Sequence, residues 1–412
     1  MRIVEPTLPR RGFLKAALAA GAAPYFVPAA ALGQDGRPAP SNRIVMGAVG
    51  MGGRGTGDMA DFTNRREVQM VAVCDVMRDH MANAKGIVDR RYGNTDCAAV
   101  GDFREITSRD DIDAVMIGTP DHWHAAIACD AMRRGKDVFC EKPETLTVRE
   151  GRQMVETARR LGRVFSGGSQ RVWEDYNLLH RIERSGVAGA LREVYVNVGG
   201  PSRDHCLSPE PVPAGLDWDM WLGPAPWVPF NSKLLDFRAW RDYSGGGMTD
   251  WGAHGFGGAL FLAQLQNTGP TEIIPPSGKD HPRLSYRFAN GITFYHGGGW
   301  GGILTAVFEH GEFTEDARTQ RLRLPKLPPE LQIPNYKGTG GLIGDFLACV
   351  RSRELPFRDI EVAHRTVTVC HLGNIALWLG RTLRWDPDKE EILDDPEANR
   401  WLERPYRPPW QV

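Results

Sequence analysis

The sequence predicts an α/β chain that begins with a doubly wound parallel sheet and continues into a second domain. Three observations predict it. Short apolar runs alternate with helix-like segments from Ile44 to Gly167, the pattern of a parallel sheet with crossover helices. The first of these runs empties into a glycine-rich loop, Gly50-Met51-Gly52-Gly53-Arg54-Gly55. At 412 residues the chain exceeds one ordinary core and fits two domains plus a leader.

Composition bounds the partners. Fifty basic and fifty-one acidic side chains leave a formal net charge of −1. That balance excludes a basic footprint for nucleic acid and a broad attraction to anionic lipid, so a small, mostly neutral substrate is expected. The 47 glycines and 29 prolines imply tight turns and close backbone approaches between periodic segments. None of the seven cysteines forms a Cys-x-x-Cys pair, so neither zinc nor a redox couple is expected.

Residues 1–34 read as an address. Arg10-Arg11-Gly12-Phe13-Leu14-Lys15 precedes a mildly apolar stretch from Ala16 to Ala31. Gly21, Pro24 and Pro28 make that stretch a poor membrane span, and Ala29, Ala30 and Ala31 are the small residues a signal peptidase takes. The segment resembles a twin-arginine (Tat) signal peptide, which implies export of the folded protein to the periplasm without stable membrane insertion. Residues 35–42 read as a linker, residues 43–167 as the first domain and residues 168–412 as the second.

Ile44 to Val49 suits a buried parallel strand. In the loop that follows, Gly50 permits the tight turn, Gly52 exposes bare backbone to a pyrophosphate, and Gly55 lets the next helix pack close. Gly53 and Arg54 complete this Rossmann-type cradle, with phosphates on the helix N-terminus. Val68 to Cys74 is a second strand, ending in Asp75. A carboxylate there accepts bonds from ribose hydroxyls and repels a 2′-phosphate, which favours NAD; nearby Arg78 leaves NADP possible. Further strands are expected at Ala114–Gly118, Val138–Cys140 and Val164–Gly167, with helices at Ala125–Arg134 and Val148–Leu161. Ligands bind beyond the carboxyl ends of such strands. Thr119, Pro120, Asp121, His122, Trp123 and His124 lie at one end, and Glu141-Lys142-Pro143 at another.

Two groups are equipped for proton chemistry. Lys142 either donates to a substrate oxygen beside the cofactor or forms a surface ion pair with Glu141. Asp250 and His254 have the i,i+4 spacing of one helical face, after the turn Gly245-Gly246-Gly247. The histidine is either a general base oriented by its carboxylate, or a core residue beside a capping aspartate opening the helix. No H-E-x-x-H or G-x-S-x-G motif is present, and no metal site is expected. Trp218, Trp221, Trp227, Trp240 and Trp251 either stack on a sugar ring or pack beneath a loop. Arg171, Arg203, Arg238 and Asp242 are unranked polar ligands.

Taken together, the glycine loop, Glu141-Lys142-Pro143 and Gly-Gly-Gly-x-x-Asp250-x-Gly252-x-His254 resemble the Gfo/Idh/MocA family, which includes glucose–fructose oxidoreductase and inositol dehydrogenases. The resemblance covers nearly everything after residue 42. It implies a second domain with a large open, mostly antiparallel sheet, and a homodimer or homotetramer. It also implies hydride exchange between NAD(P) and a sugar, glycoside or polyol hydroxyl. On that resemblance His254 is the base, Lys142 holds the same oxygen, and Asp250 positions the pair. Thr119, Pro120, His124 and Glu141 become cofactor neighbours, and Trp123, Arg171 and Trp251 substrate neighbours.

Helical spacing from Leu342 to Val350 and from Val362 to Leu379 predicts two helices near the domain junction, with His364 and His371 facing the interior. The proline-rich tail after Pro405 is expected to reach a neighbouring subunit. Export adds a constraint, because the periplasm holds little free NAD. The cofactor is expected to stay bound and to be reset in place. Reset occurs either by a second carbonyl substrate or by a cleavage that borrows a hydride, as in the glycoside hydrolases of family 109. Those usually lack Asp-x-Gly-x-His around the late histidine, so the hydrolase ranks second. A non-catalytic sugar-binding scaffold is the third reading.

Overall fold

The computed structural model describes residues 38–39, 42–299, 302–315 and 326–412; the expected leader and most of the linker lie outside the described residues. The first sheet contains β1 (Ile44–Val49), β2 (Val68–Cys74), β3 (Ala98–Val100), β4 (Ala114–Ile117), β5 (Asp137–Cys140) and β6 (Phe165–Gly167). All six are parallel, in the order β3-β2-β1-β4-β5-β6. Every residue of β4 and β5 is buried, as a strand covered on both faces requires. The strand order reverses between β1 and β4, which opens a crevice beyond their carboxyl ends.

The helix Val148–Leu161 begins and ends where its periodicity predicts, fixed by a reciprocal Thr147–Glu150 capping box. The helix expected from Ala125 instead runs Asp121–Arg133, with Pro120 as its N-cap. His122, Trp123 and His124 therefore occupy its first turn rather than a loop. The apolar run marks only the part of the helix facing the sheet, and Pro120 sets the true start. The helix Arg78–Tyr92 was not anticipated, because it buries only Ala84 and Val88 and carries almost no apolar stripe.

The second sheet contains β7 (Leu191–Val196), β8 (Glu272–Ile274), β9 (Ser285–Arg287), β10 (Thr293–His296), β11 (Leu304–Phe308), β12 (Gly311–Thr314), β13 (Leu383–Asp386) and β14 (Glu391–Ile392). Its order is β12-β11-β7-β10-β9-β8-β13-β14, antiparallel except for the β7–β10 pair. Val194, Val196, Phe294 and Leu304 pack with Phe256 and Leu260 of the helix Gly252–Leu262. That helix lies tight against its neighbours: a Cβ on Gly255 would meet Val196 at 2.7 Å, and one on Gly258 would meet Tyr176 at 2.2 Å.

The two helices near the end run Gly341–Ser352 and Ile360–Leu379; the first packs into the parallel sheet's core, and the second reaches the cores of both sheets, at their junction. Phe346 sits with Phe62 and Phe139, and Arg152 bridges to Glu361 at 2.9 Å and Glu390 at 2.7 Å. His364 and His371 are buried. The tail folds back on its own chain. Arg404 pairs with Glu150 at 2.8 Å, and the Trp410 ring lies 4.7 Å from that of Trp123. The tail can do so because its prolines leave it extended while its aromatic and arginine side chains remain free to pack. Most of the tryptophans also pack: Trp218 and Trp221 stack at 4.8 Å in a cluster with Trp240 and Phe230. No helix among the described residues is long and apolar enough to cross a membrane.

Candidate active site

The glycine loop leaves β1 with each glycine under a separate constraint. Gly50 has φ +84°, the left-handed region that glycine tolerates best. A Cβ on Gly55 would meet the Gly50 carbonyl oxygen at 1.8 Å, so helix and loop are in backbone contact. A Cβ on Gly52 would meet nothing within 4 Å. Gly52 is the N-cap of the helix Gly53–Thr63 and offers no side-chain cap, which leaves that end to a ligand.

A cavity of about 400 Å³ opens at this point. Gly50, Gly52, Gly53, Arg54 and Asp75 line one side of it, and Thr119, Pro120, Trp123, Glu141 and Lys142 another. Asp75 accepts from the Met51 N–H at 2.6 Å and the Met77 N–H at 2.7 Å, which pins the carboxylate at the end of β2. Burial raises its pKa, and these two bonds and His80 oppose the rise. Arg54 pairs with Asp58 at 2.9 Å and with Glu141 at 3.0 Å. Burial and the Glu141 carboxylate push Asp58 up to about 8.

Lys142 follows β5 and is not paired with Glu141. Its ammonium meets Asp250 Oδ1 at 2.5 Å and the Asp250 carbonyl at 3.2 Å. Arg238, also on the cavity wall, reaches the same Oδ1 at 3.1 Å. Burial raises the Asp250 pKa, but Lys142 and Arg238 outweigh it and hold the carboxyl below its ordinary value. Asp250 is therefore an anion between two cations.

Asp250 and His254 do not share a helix. The helix Gly247–Asp250, with Gly246 as its N-cap, ends at Trp251, and the helix Gly252–Leu262 begins anew. Asp250 does not open a helix, because Gly246 at φ +79° already makes the turn. The carboxylate turns to Lys142 rather than to the histidine. His254 is 4% exposed and has Ser169 Oγ at 3.3 Å from Nδ1. Burial, then the positive charges of Lys142 and Arg171, lower its pKa to about 2, so it is uncharged at neutral pH.

Two other expectations shift. His124 does not line the cavity; its ring spans the Pro143 carbonyl at 2.8 Å and the Thr119 carbonyl at 2.9 Å, bracing the two strand-end loops. Trp123 lines the cavity, with its indole N–H held by the Met220 and Trp221 carbonyls. Trp251 is 42% exposed beside His254, and the Arg171 guanidinium lies 5.1 Å from its ring.

Asp121, given no individual role from the sequence, is buried on the cavity wall and accepts from Ser244 Oγ at 2.6 Å. Burial pushes its pKa up to about 7, against the Ser244 bond and the Arg238 charge. Its only sequence signal is its place directly after Pro120, where an aspartate reads as an ordinary first-turn residue.

Comparison with known proteins places these features in context. Residues 44–169 match the NAD-binding Rossmann fold of the Gfo/Idh/MocA oxidoreductase family, and residues 200–412 match that family's C-terminal alpha/beta domain. Glycosyl hydrolase family 109 protein 1 of Shewanella sp. (strain MR-4) is 37% identical over 130 residues. That match covers 30% of this chain and only 28% of the relative. Myo-inositol 2-dehydrogenase from Lactobacillus plantarum superposes with a TM-score of 0.58 at 16% identity, covering 83% of this chain and 99% of the other. The enzyme GenD2 from gentamicin A biosynthesis, solved in complex with NAD, gives a TM-score of 0.58 at 17% identity over 84% and 97% of the two chains.

Proposed function

The chain belongs to the Gfo/Idh/MocA oxidoreductase family, and from that premise we propose that it exchanges hydride between tightly held NAD and a hydroxyl-bearing carbon of a sugar, glycoside or polyol. The observation that carries this reading is the ion pair between Asp250 and Lys142, the latter on the wall of the glycine-loop cavity.

The residues present fit the cofactor. Gly52, with open space where a Cβ would stand, and the uncapped helix start at Gly53 would hold the pyrophosphate. Asp75, whose oxygens each have a second lone pair, would take the ribose hydroxyls and disfavour NADP. When bound, the nicotinamide supplies the hydride acceptor and donor.

The chain supplies position and proton transfer. Lys142, fixed by the Asp250 anion, donates to the substrate oxygen and stabilises negative charge on it. His254 is uncharged, and with Ser169 at Nδ1, Nε2 is left to accept the hydroxyl proton. The Lys142 and Arg171 charges oppose charging of the imidazole, and a developing alkoxide beside Lys142 offsets them. Proton acceptance is thus favoured in the reacting complex. Trp251, half exposed beside His254, offers a face to the C–H side of a sugar ring.

The similarity to glycosyl hydrolase family 109 relatives favours a second reading, in which a glycosidic bond is cleaved through transient oxidation and the hydride returns. The Arg10-Arg11 leader supports export to the periplasm, where retained NAD suits either scheme. A broad open sheet with the Tyr195–Tyr295 stack on it supports pairing of two copies. One experiment separates the readings: purify the protein, record its nicotinamide absorbance, and add sugars, glycosides and polyols. Reduced nicotinamide supports net oxidation, and product with unchanged cofactor supports cleavage. If the protein contains no nucleotide and binds none, the proposal fails.

A further inference from the structure

A second cavity, of about 250 Å³, lies between the helix Ile360–Leu379 and the C-terminal segment. It shares no lining residue with the cofactor cavity. Trp378 and Trp401 form one wall, with ring centroids 5.2 Å apart. The Arg241 guanidinium sits against both rings, at 4.5 Å and 5.1 Å.

The polar groups of this cavity are partly unspent. Arg241 pairs with Asp204 at 3.3 Å, yet its Nε is buried with no partner among the described residues. Arg404 reaches Glu150 and the His122 carbonyl at 2.8 Å and 2.7 Å, and its buried Nη1 likewise has none. Both arginines line the cavity, and the Arg241 side chain is 26% exposed, so its guanidinium is within reach of a ligand that accepts from it. Asp242, on the same wall and 43% exposed, supplies an acceptor.

Charge selects the ligand. Each arginine is already balanced by a carboxylate, and Asp242 and Glu403 add negative charge, so the cavity does not favour an anion. Hydroxyl groups accept from arginine and donate to aspartate, and the C–H face of a ring packs on indole. The size is below that of common drug-sized pockets and suits a single ring. We propose that this cavity is a second sugar site, taking one neutral pyranose apart from the reaction site. Ser244 lines this cavity and its hydroxyl donates to Asp121, which lines the cofactor cavity.

The test uses the full chain as purified, with Lys142→Met to suppress turnover. Tryptophan fluorescence is titrated with glucose, galactose and N-acetylgalactosamine, and with glucuronate as the anionic arm. The same titrations are made after adding Trp401→Leu or Asp242→Asn, with melting temperature as the folding check. At least one neutral sugar should bind saturably, and either change should weaken that binding about tenfold or more. If Trp401→Leu does not fold, the exposed Asp242→Asn carries the result. The proposal is overturned if no neutral sugar binds, if neither change alters binding, or if glucuronate binds more tightly. The readout is binding, so it stands whether or not the bound nucleotide is redox-active.

Discussion

Lys142 and Asp250 are joined by a 2.5 Å ion pair that links the end of the parallel sheet's fifth strand to the last residue of the helix Gly247–Asp250. Both side chains are largely buried, so the pair fixes where the ammonium sits relative to the cofactor cavity. Lys142→Met removes the donor to the substrate oxygen and should lower kcat by about 10²–10⁴-fold, the range of a positioned acid–base group. Bound nucleotide should remain, because the glycine loop and Asp75 are untouched. Steady-state turnover and nucleotide content of the same preparation check both halves; full turnover would remove Lys142 from the site.

Gly52 and Gly55 should respond differently to alanine. At Gly55 the new methyl group meets the Gly50 carbonyl oxygen at 1.8 Å, so Gly55→Ala should lower the melting temperature and the yield. At Gly52 nothing lies within 4 Å, so Gly52→Ala should fold with a melting temperature near that of the parent. It should nevertheless lose most nucleotide affinity, because the methyl group occupies the approach to the helix N-terminus. Thermal unfolding with and without added NAD distinguishes them. A Gly52→Ala protein that binds NAD normally would mean that the phosphates lie elsewhere.

The two variants also mark how much was legible in the sequence. Gly50 and Gly55 were readable because backbone geometry dictates glycine there, and Gly52 because the expected pyrophosphate needs bare backbone. The two long buried strands, β1 and β2, fall where their apolar runs do. The break at Trp251 was not readable. Asp250 and His254 keep helical spacing on either side of it, and the choice of Lys142 as the carboxylate's partner is made by a residue more than a hundred positions away. Likewise His124 is apolar-flanked and looked chemical, but both ring nitrogens are taken by carbonyls that only the tertiary fold brings together.

His254 should not titrate between pH 5 and 8. Burial and the neighbouring cations lower its pKa to about 2, which leaves the imidazole uncharged throughout that range. Ring-proton NMR, with His254→Asn to assign the signal, should show a constant chemical shift for His254 across it. A midpoint near the ordinary value of 6.5 would show that the imidazole charges freely and would remove the argument that the alkoxide triggers proton acceptance. Turnover by His254→Asn should fall about 10²–10⁴-fold.

Asp121 should make stability depend on pH in the opposite sense to a paired surface carboxylate. Burial raises its pKa from 3.8 to about 7, so below 3.8 both the folded and the unfolded chain hold the proton. Between 3.8 and about 7 the folded state retains a proton that the unfolded state releases, and stability falls as pH rises. Above about 7 both have released it and the loss is complete, at a few kcal/mol. Asp121→Asn keeps an acceptor for the Ser244 hydroxyl but has no proton to lose. The difference in melting temperature, variant minus parent, should therefore widen from pH 4.5 to about 7 and then level off. A difference that is flat across this range would mean that Asp121 ionises as freely in the folded protein as in the unfolded chain. Ser244 would then hold a carboxylate rather than a carboxylic acid at neutral pH.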